Sequence, residues 1–180
     1  MSEQSKKLVI FTDIGDTIID ENTEERDSTH TVMRAACIPG AKETFLRLYR
    51  EEFPIVMVAD GGVQSFHNTM TQNGLDHIFR AKIISQAVGE DKPSAKMFRA
   101  AMDATMGLTD ADKGRVIMIG NNVKRDILGA NRFGIRSVLI DWSTRRPYDE
   151  AGPEEHATYR VHTPEELLPL AHRLENELES

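Results

Sequence analysis

The sequence predicts an α/β fold: a three-layer, doubly wound arrangement around a mainly parallel sheet of five to six strands. Two observations carry this. Strand-like runs alternate with helix-like stretches along the chain, the order that builds parallel strands joined by right-handed crossovers. Four of the runs are also near-continuously apolar, as strands covered on both faces require.

In chain order, the predicted strands are Leu8 to Thr12, Ile55 to Ala59, Lys82 to Ser85, Val116 to Ile119 and Ser137 to Ile140, with a weaker sixth at Tyr159 to His162. Phe45, Leu48 and Tyr49 form one helical stripe, and Phe98, Ala101 and Met102 another, each read as a core-facing surface. Ser94 is placed to cap the second of these helices. A last helix begins at Thr163 as N-cap, with Pro164 at its first position and Glu166 closing a capping box. Two polar stretches interrupt the rhythm, Glu21 to Cys37 and Ser143 to Thr158. Each reads equally well as a functional loop over the strand ends or as a solvated connection.

Composition narrows the class. The chain has 180 residues, 39% of them hydrophobic and 28% charged, ordinary for a soluble globular protein. A net charge of −7 works against nonspecific phosphate-backbone binding, so no nucleic acid partner is expected. No stretch approaches the roughly 20 apolar residues of a membrane span, and the first seven residues lack the apolar run of a secretory signal. Together with a single cysteine, Cys37, read as a small packing residue, this leads to an expectation of a cytoplasmic protein without a membrane partner.

The chemistry gathers at strand ends. Asp13 follows the first strand, in Phe11-Thr12-Asp13-Ile14-Gly15-Asp16-Thr17. In a parallel sheet that end opens on the crevice where ligands bind, and a carboxylate there can act as a nucleophile. Asp60-Gly61 follows the second strand, Asp91-Lys92-Pro93 precedes a helix, and Gly120-Asn121-Asn122 leads to Asp126. Carboxylates from two strands suit Mg²⁺, which takes one or two of them and completes its shell with water and phosphate oxygens. A neighbouring lysine would balance a transferring phosphoryl group.

This ordered set resembles the haloacid dehalogenase superfamily of Asp-nucleophile hydrolases, over roughly residues 7 to 142. Besides the motifs above, the run Asp126-Ile127-Leu128-Gly129-Ala130-Asn131-Arg132-Phe133-Gly134 is of a kind common in that family. The resemblance implies one hydrolase domain over residues 1–180, its core at 7–142, with a polar loop, an edge strand and a helix in 143–180. It implies a Rossmann-like sheet, Mg²⁺ as cofactor and phosphatase activity through an aspartyl-phosphate on Asp13. Lys92 would be the second catalytic residue, and Thr17, Ala59, Asp60 and Gly61 the substrate-binding positions. The metal ligands would be Asp13, the backbone of Gly15, Asn121 and Asp126.

Four departures from the family pattern shape the expectation. Gly15 stands where the family has the aspartate that protonates the leaving group, and general acid assistance is typically worth about 10²- to 10⁴-fold. Asp16, one place on, could substitute only by turning toward Asp13, which adjacent residues on an extended turn do not favour. Ala59 replaces the Ser or Thr that holds the phosphoryl group, and Asn121 replaces an aspartate, so Mg²⁺ should bind more weakly. Finally, residues 14–59 leave no room for a full cap domain. Water exclusion then falls to the Glu21 to Cys37 loop, to a second subunit in a homo-oligomer, or to a large substrate.

Three functions follow, in decreasing order. The first is a phosphatase acting on a small phosphorylated substrate or a phosphorylated macromolecule, with acyl and aryl phosphates favoured because Gly15 has no proton to give. The second is a catalytically attenuated domain that binds a phosphorylated ligand or a protein partner. Carbon–halogen cleavage, which in the family relies on cap residues, comes last. His67, His77 and His162 show no ligand spacing, and Arg145 and Arg146 read as a solvated loop.

Overall fold

The computed structural model describes residues 7–105 and 107–180. Among the described residues there are eight strands: β1 (Val9–Thr12), β2 (Glu25–Arg26), β3 (Val32–Arg34), β4 (Ile55–Ala59), β5 (Phe79–Ile84), β6 (Val116–Gly120), β7 (Arg136–Ile140) and β8 (Tyr159–Val161). The helices are α1 (Ala41–Arg50), α2 (Val63–Gln72), α3 (Ser85–Val88), α4 (Ala95–Ala104), α5 (Leu128–Phe133) and α6 (Leu167–Leu178). Six strands form one parallel sheet in the order β5-β4-β1-β6-β7-β8, and β2 and β3 pair separately as an antiparallel hairpin. The predicted three-layer α/β class is therefore what the chain adopts, and no cap domain is present among the described residues.

Alternation along each central strand divides the interior in two. Leu8, Ile10, Ile55, Met57, Ile117 and Ile119 face a layer built from Phe45 and Leu48 of α1 and from Leu167, Leu170 and Leu174 of α6. Val9, Phe11, Val56, Val58, Val116 and Met118 face Met97, Phe98 and Met102 of α4 and Phe133 at the end of α5. Both faces of these strands are buried, and so they read as unbroken apolar runs.

The edge strand β5 starts earlier than its sequence suggests, at Phe79 rather than Lys82, and Ser85 opens α3 instead of ending the strand. Its solvent-facing residues Arg80 and Lys82 hide its first half from a search for apolar runs. The two caps are as predicted. Ser94 Oγ accepts the backbone N–H of Lys96 at 3.2 Å, and Thr163 and Glu166 form the capping box, over a 3₁₀ turn that leads into α6. Among the described residues, no helix is long and apolar enough to cross a membrane.

One glycine in the second layer is a steric requirement. A Cβ on Gly129 would meet Phe98 Cε2 at 2.5 Å and the Pro93 backbone at 3.1 Å. Phe98 cannot yield easily, since its ring stacks on Phe133 at 5.6 Å between centroids. Alanine would gain up to about 1 kcal/mol of helix propensity, but overpacking of this kind costs about 1–3 kcal/mol. Gly129→Ala is thus expected to lower stability, with urea unfolding as the check.

Candidate active site

The central strand β1 has β4 on one side and β6 on the other, so the chain changes winding direction beside it. The crevice beyond the carboxyl ends of strands at such a switch point is where open α/β sheets bind ligands. Asp13 stands there. Its backbone N–H donates to Ile119 O at 2.9 Å, which ties the exit of β1 to β6. The chain then coils on itself, with Ile14 O accepting the N–H groups of Ile18 and Ile19. Ile14 and Ile18 are buried beneath this turn and anchor it.

Lys92 is the hub. It is 2% exposed, and its ammonium lies 2.9 Å from Asp13 Oδ1, 2.7 Å from Asp126 Oδ1 and 2.7 Å from Val58 O. The contacts with Asp13 and Val58 are hydrogen bonds, and the one with Asp126 is an ion pair. A buried cation is tolerated only when paired and hydrogen-bonded in this way. Burial works to lower its pKa, but the charges of Asp126, Asp13 and Asp60 outweigh that and hold the group above its ordinary value, charged throughout the physiological range. Burial pushes Asp13 in the opposite sense, up to about 6; Lys92 pulls it down, Asp126 pushes it up, and the N–H of Ile14 favours the charged form.

Asp126 reaches this point from a wide π-type turn over Val123–Ile127 that precedes α5, the irregularity that often marks a functional site. Its Oδ2 accepts the backbone N–H of Asn122 at 2.9 Å. Gly120 makes the approach possible, because a Cβ there would lie 2.2 Å from Asp126 Oδ2 and 2.3 Å from its Cγ. Gly120→Ala is accordingly expected to displace Asp126 and abolish the ion pair with Lys92, with a fall in melting temperature of several degrees for each kcal/mol lost.

Asp60 is fixed twice, by the Lys92 N–H at 2.9 Å on Oδ1 and by Arg125 Nη1 at 3.2 Å on Oδ2. Burial raises its pKa, opposed by the charge and the N–H of Lys92. Gly61 has a φ of +150° and donates its N–H to Ser85 Oγ at 3.0 Å. These groups open on a cleft of ≈190 Å³ lined by Asp13, Gly15, Asp60, Gly61, Lys92, Asn121 and Asp126, among others.

Two predicted positions lie elsewhere. Ala59 and Thr17 are both fully buried and are not among the residues lining the cleft. The Thr17 hydroxyl has no hydrogen-bond partner among the described residues.

Asp16 is oriented for a structural task. Its backbone is left-handed, at φ 47°, and its carboxylate is fully buried. It accepts the N–H of Glu21 at 3.1 Å on Oδ1, and on Oδ2 it meets Ser143 Oγ at 3.1 Å and Arg145 Nε at 2.9 Å. It points into this network, which agrees with the expectation that it does not turn to assist Asp13.

Arg145 corrects the reading of its segment as a solvated loop. It bridges Asp16 and Glu21, with Nη2 2.6 Å from Glu21 Oε2. Arg146 lines the cleft. Nothing in local spacing signals a contact between Arg145 and Asp16, because the two lie far apart in the sequence.

The Glu21 to Cys37 stretch is likewise more ordered than a loop. Its hairpin turn is held by Asp27 Oδ1, which accepts from Thr29 N and Thr31 N. The hairpin is fastened to α2, with Val32 N–H donating to Ser65 Oγ and Asn68 Nδ2 to Val32 O, both at 3.0 Å. It forms one wall of the cleft, to which it contributes Glu24, Arg26 and Val32.

Comparison with known proteins agrees with this arrangement. The sequence profile of the haloacid dehalogenase-like hydrolases matches residues 3–140. The glyceraldehyde 3-phosphate phosphatase of Pyrococcus furiosus is 30% identical over 76% of this chain and 55% of its own length. The chain spans about half the length of the curated relatives it matches. Among solved structures, a haloacid dehalogenase phosphatase from Thermococcus onnurineus superposes with a TM-score of 0.72 at 16% identity, over 92% of this chain and 97% of that one. The magnesium-bound hydrolase YfnB from Bacillus subtilis gives 0.66 at 21% identity, over 75% and 56%. At such identities the structures establish the fold alone. With a profile match over most of its length and an aspartate, lysine and aspartate meeting at the switch point of the sheet, the chain belongs to the haloacid dehalogenase-like hydrolases.

Proposed function

We propose that this protein is a phosphatase that transfers the phosphoryl group of a small phosphate ester or acyl phosphate to Asp13 and then to water. The observation that carries the reading is the ion pair between Asp13 Oδ1 and Lys92 Nζ at 2.9 Å, at the carboxyl end of β1. Lys92 holds the carboxylate in place and keeps a positive charge beside the point where phosphoryl oxygens would gather. Phosphoryl transfer depends mainly on such positioning and charge neutralisation. Asp13 attacks phosphorus as the leaving oxygen departs, and water then cleaves the aspartyl-phosphate and restores the carboxylate. The names of the relatives, which include glyceraldehyde 3-phosphate and phosphoserine phosphatases, favour a small phosphorylated substrate.

The donors at the site suit Mg²⁺. Asp13, Asn121 and Asp126 offer hard oxygens to one cleft, and Mg²⁺ needs only one or two carboxylates. No three His, Cys, Asp or Glu side chains form a metal-holding group among the described residues; the third donor is the amide of Asn121. When bound, the ion would neutralise phosphoryl charge. Asp126 Oδ2 accepts the Asn122 N–H, while its buried Oδ1 is ion-paired with Lys92 and has no hydrogen-bond partner among the described residues.

Activity is tested by phosphate release from acetyl phosphate and p-nitrophenyl phosphate, with Mg²⁺ and with a chelator. Release that requires the metal is expected; no release from either substrate contradicts the reading.

The sign of the pH effect follows from Asp13. Its folded value of about 6 lies above the 3.8 ordinary for an aspartate. Its contribution to stability is therefore fully present below the unfolded value and lost as pH rises through about 6. Metal binding needs the ionised form, so Mg²⁺ affinity should weaken by about tenfold per pH unit below about 6, as read by calorimetric titration.

A further inference from the structure

The side chain missing at position 15 has left a space, and another residue fills it. A Cβ built on Gly15 would lie 2.0 Å from Glu21 Oε1 and 2.9 Å from Glu21 Cδ. The backbone of Gly15 is outside the left-handed region, and the three atoms nearest to such a side chain all belong to Glu21. Glu21 sits in a short 3₁₀ turn, Glu21–Thr23, whose position is set from both sides. The Asp16 carboxylate accepts its backbone N–H at 3.1 Å, and Arg145 Nη2 holds its Oε2 at 2.6 Å. The other oxygen, Oε1, is the one directed at the vacant position, and Glu21 lines the same cleft as Asp13 and Lys92.

We infer that Glu21 is the catalytic acid of this hydrolase, its carboxyl delivered from the following turn into the place that Gly15 leaves empty. The inference rests on the phosphatase reading above and on where the carboxyl lies. As the Asp13 oxygen bonds to phosphorus, the bond from phosphorus to the leaving oxygen breaks, and that oxygen takes its electron pair together with the proton of Glu21 Oε1. In the second step the Glu21 carboxylate accepts a proton from the water that attacks phosphorus, and the Asp13–phosphorus bond breaks. Glu21 ends protonated and Asp13 ionised, as they began. Arg145 is one cation set between two carboxylates, and Asp16 is the buried member, with hydrogen bonds from the Glu21 N–H and Ser143 Oγ besides that ion pair.

The consequence is that alkyl phosphates, whose leaving groups need protonation, become substrates in spite of Gly15. Turnover of an alkyl ester such as glycerol phosphate is compared with that of acetyl phosphate for the unaltered protein, Glu21→Gln, Glu21→Ala, and Glu21→Ala combined with Gly15→Asp. The ratio of alkyl to acyl kcat/KM is expected to fall by about 10²- to 10⁴-fold in Glu21→Gln. It should recover in the double variant, where an aspartate at 15 enters the space that Glu21 has vacated. Equal losses on both substrates in Glu21→Gln, or no loss on the alkyl ester, would overturn the assignment; the phosphatase reading stands as long as the unaltered protein turns over acetyl phosphate through Asp13. Absence of that turnover in the unaltered protein would overturn the phosphatase reading itself, and this assignment with it.

Discussion

Lys92→Met is expected to destabilise the fold by about 3–5 kcal/mol and to abolish turnover, because it removes one partner of a buried ion cluster and leaves the others uncompensated. Methionine keeps most of the length and apolar volume of the stem, so the loss isolates the charge. Asp13 and Asp126 would then face each other without the cation that now lies 2.9 and 2.7 Å from them, and Val58 O would lose its donor at 2.7 Å. Asp13, which burial already holds up at about 6, can relieve this by taking up a proton. The destabilisation should therefore shrink as pH falls through about 6 and be largest above it. Urea unfolding of the unaltered protein and the variant at neutral and at acid pH reads both effects. A deficit below about 1 kcal/mol at neutral pH, the scale of an exposed ion pair, would mean that Lys92 does not hold the site together.

Asp13→Asn should have the opposite profile, with turnover lost and the fold kept. Removing the nucleophile of a covalent catalyst costs on the order of 10⁴- to 10⁶-fold in kcat. Asparagine is close to isosteric, and Lys92 would retain Asp126 and Asp60 as counter-charges. Burial holds the Asp13 carboxyl up at about 6, so keeping it ionised at neutral pH works against stability. The substitution removes that burden, and stability should vary less between the unfolded carboxylate value and about pH 6. Loss of turnover without loss of melting temperature assigns Asp13 to the chemistry. Loss of both together would make its role structural.

What the sequence disclosed follows from which forces act locally. Strands β1, β4 and β6 are buried on both faces, and their apolar runs end where the polar site residues begin. Asp13, Asp60, Asn121 and Asp126 could be placed in one crevice on that basis, with Lys92 beside them. Elements whose order comes from polar contacts were harder to see. The β2–β3 hairpin is short and exposed, held by Asp27 within its turn and by Ser65 and Asn68 of α2, none of which leaves a periodic pattern. The orientation of Asp16 depends on a left-handed backbone at a non-glycine residue, a conformation that residue type alone does not announce.

Arg145 and Glu21 illustrate a second limit. Each is an ordinary charged residue in a polar stretch, and only the folded chain brings Arg145 against Asp16 and Glu21. The absence of a side chain at Gly15 was legible as a missing acid. That the Glu21 carboxyl occupies the same space was not, because the contact depends on the turn from Asp13 to Ile19 doubling back on itself.

The central claim is that Asp13 carries the phosphoryl group. It is tested most directly by quenching the protein in acid during turnover of acetyl phosphate and mapping its peptides by mass spectrometry. One phosphoryl group on the peptide that contains Asp13, absent from Asp13→Asn, is the predicted result. Sustained turnover with the phosphoryl group on another residue, or with none trapped on Asp13, would contradict it.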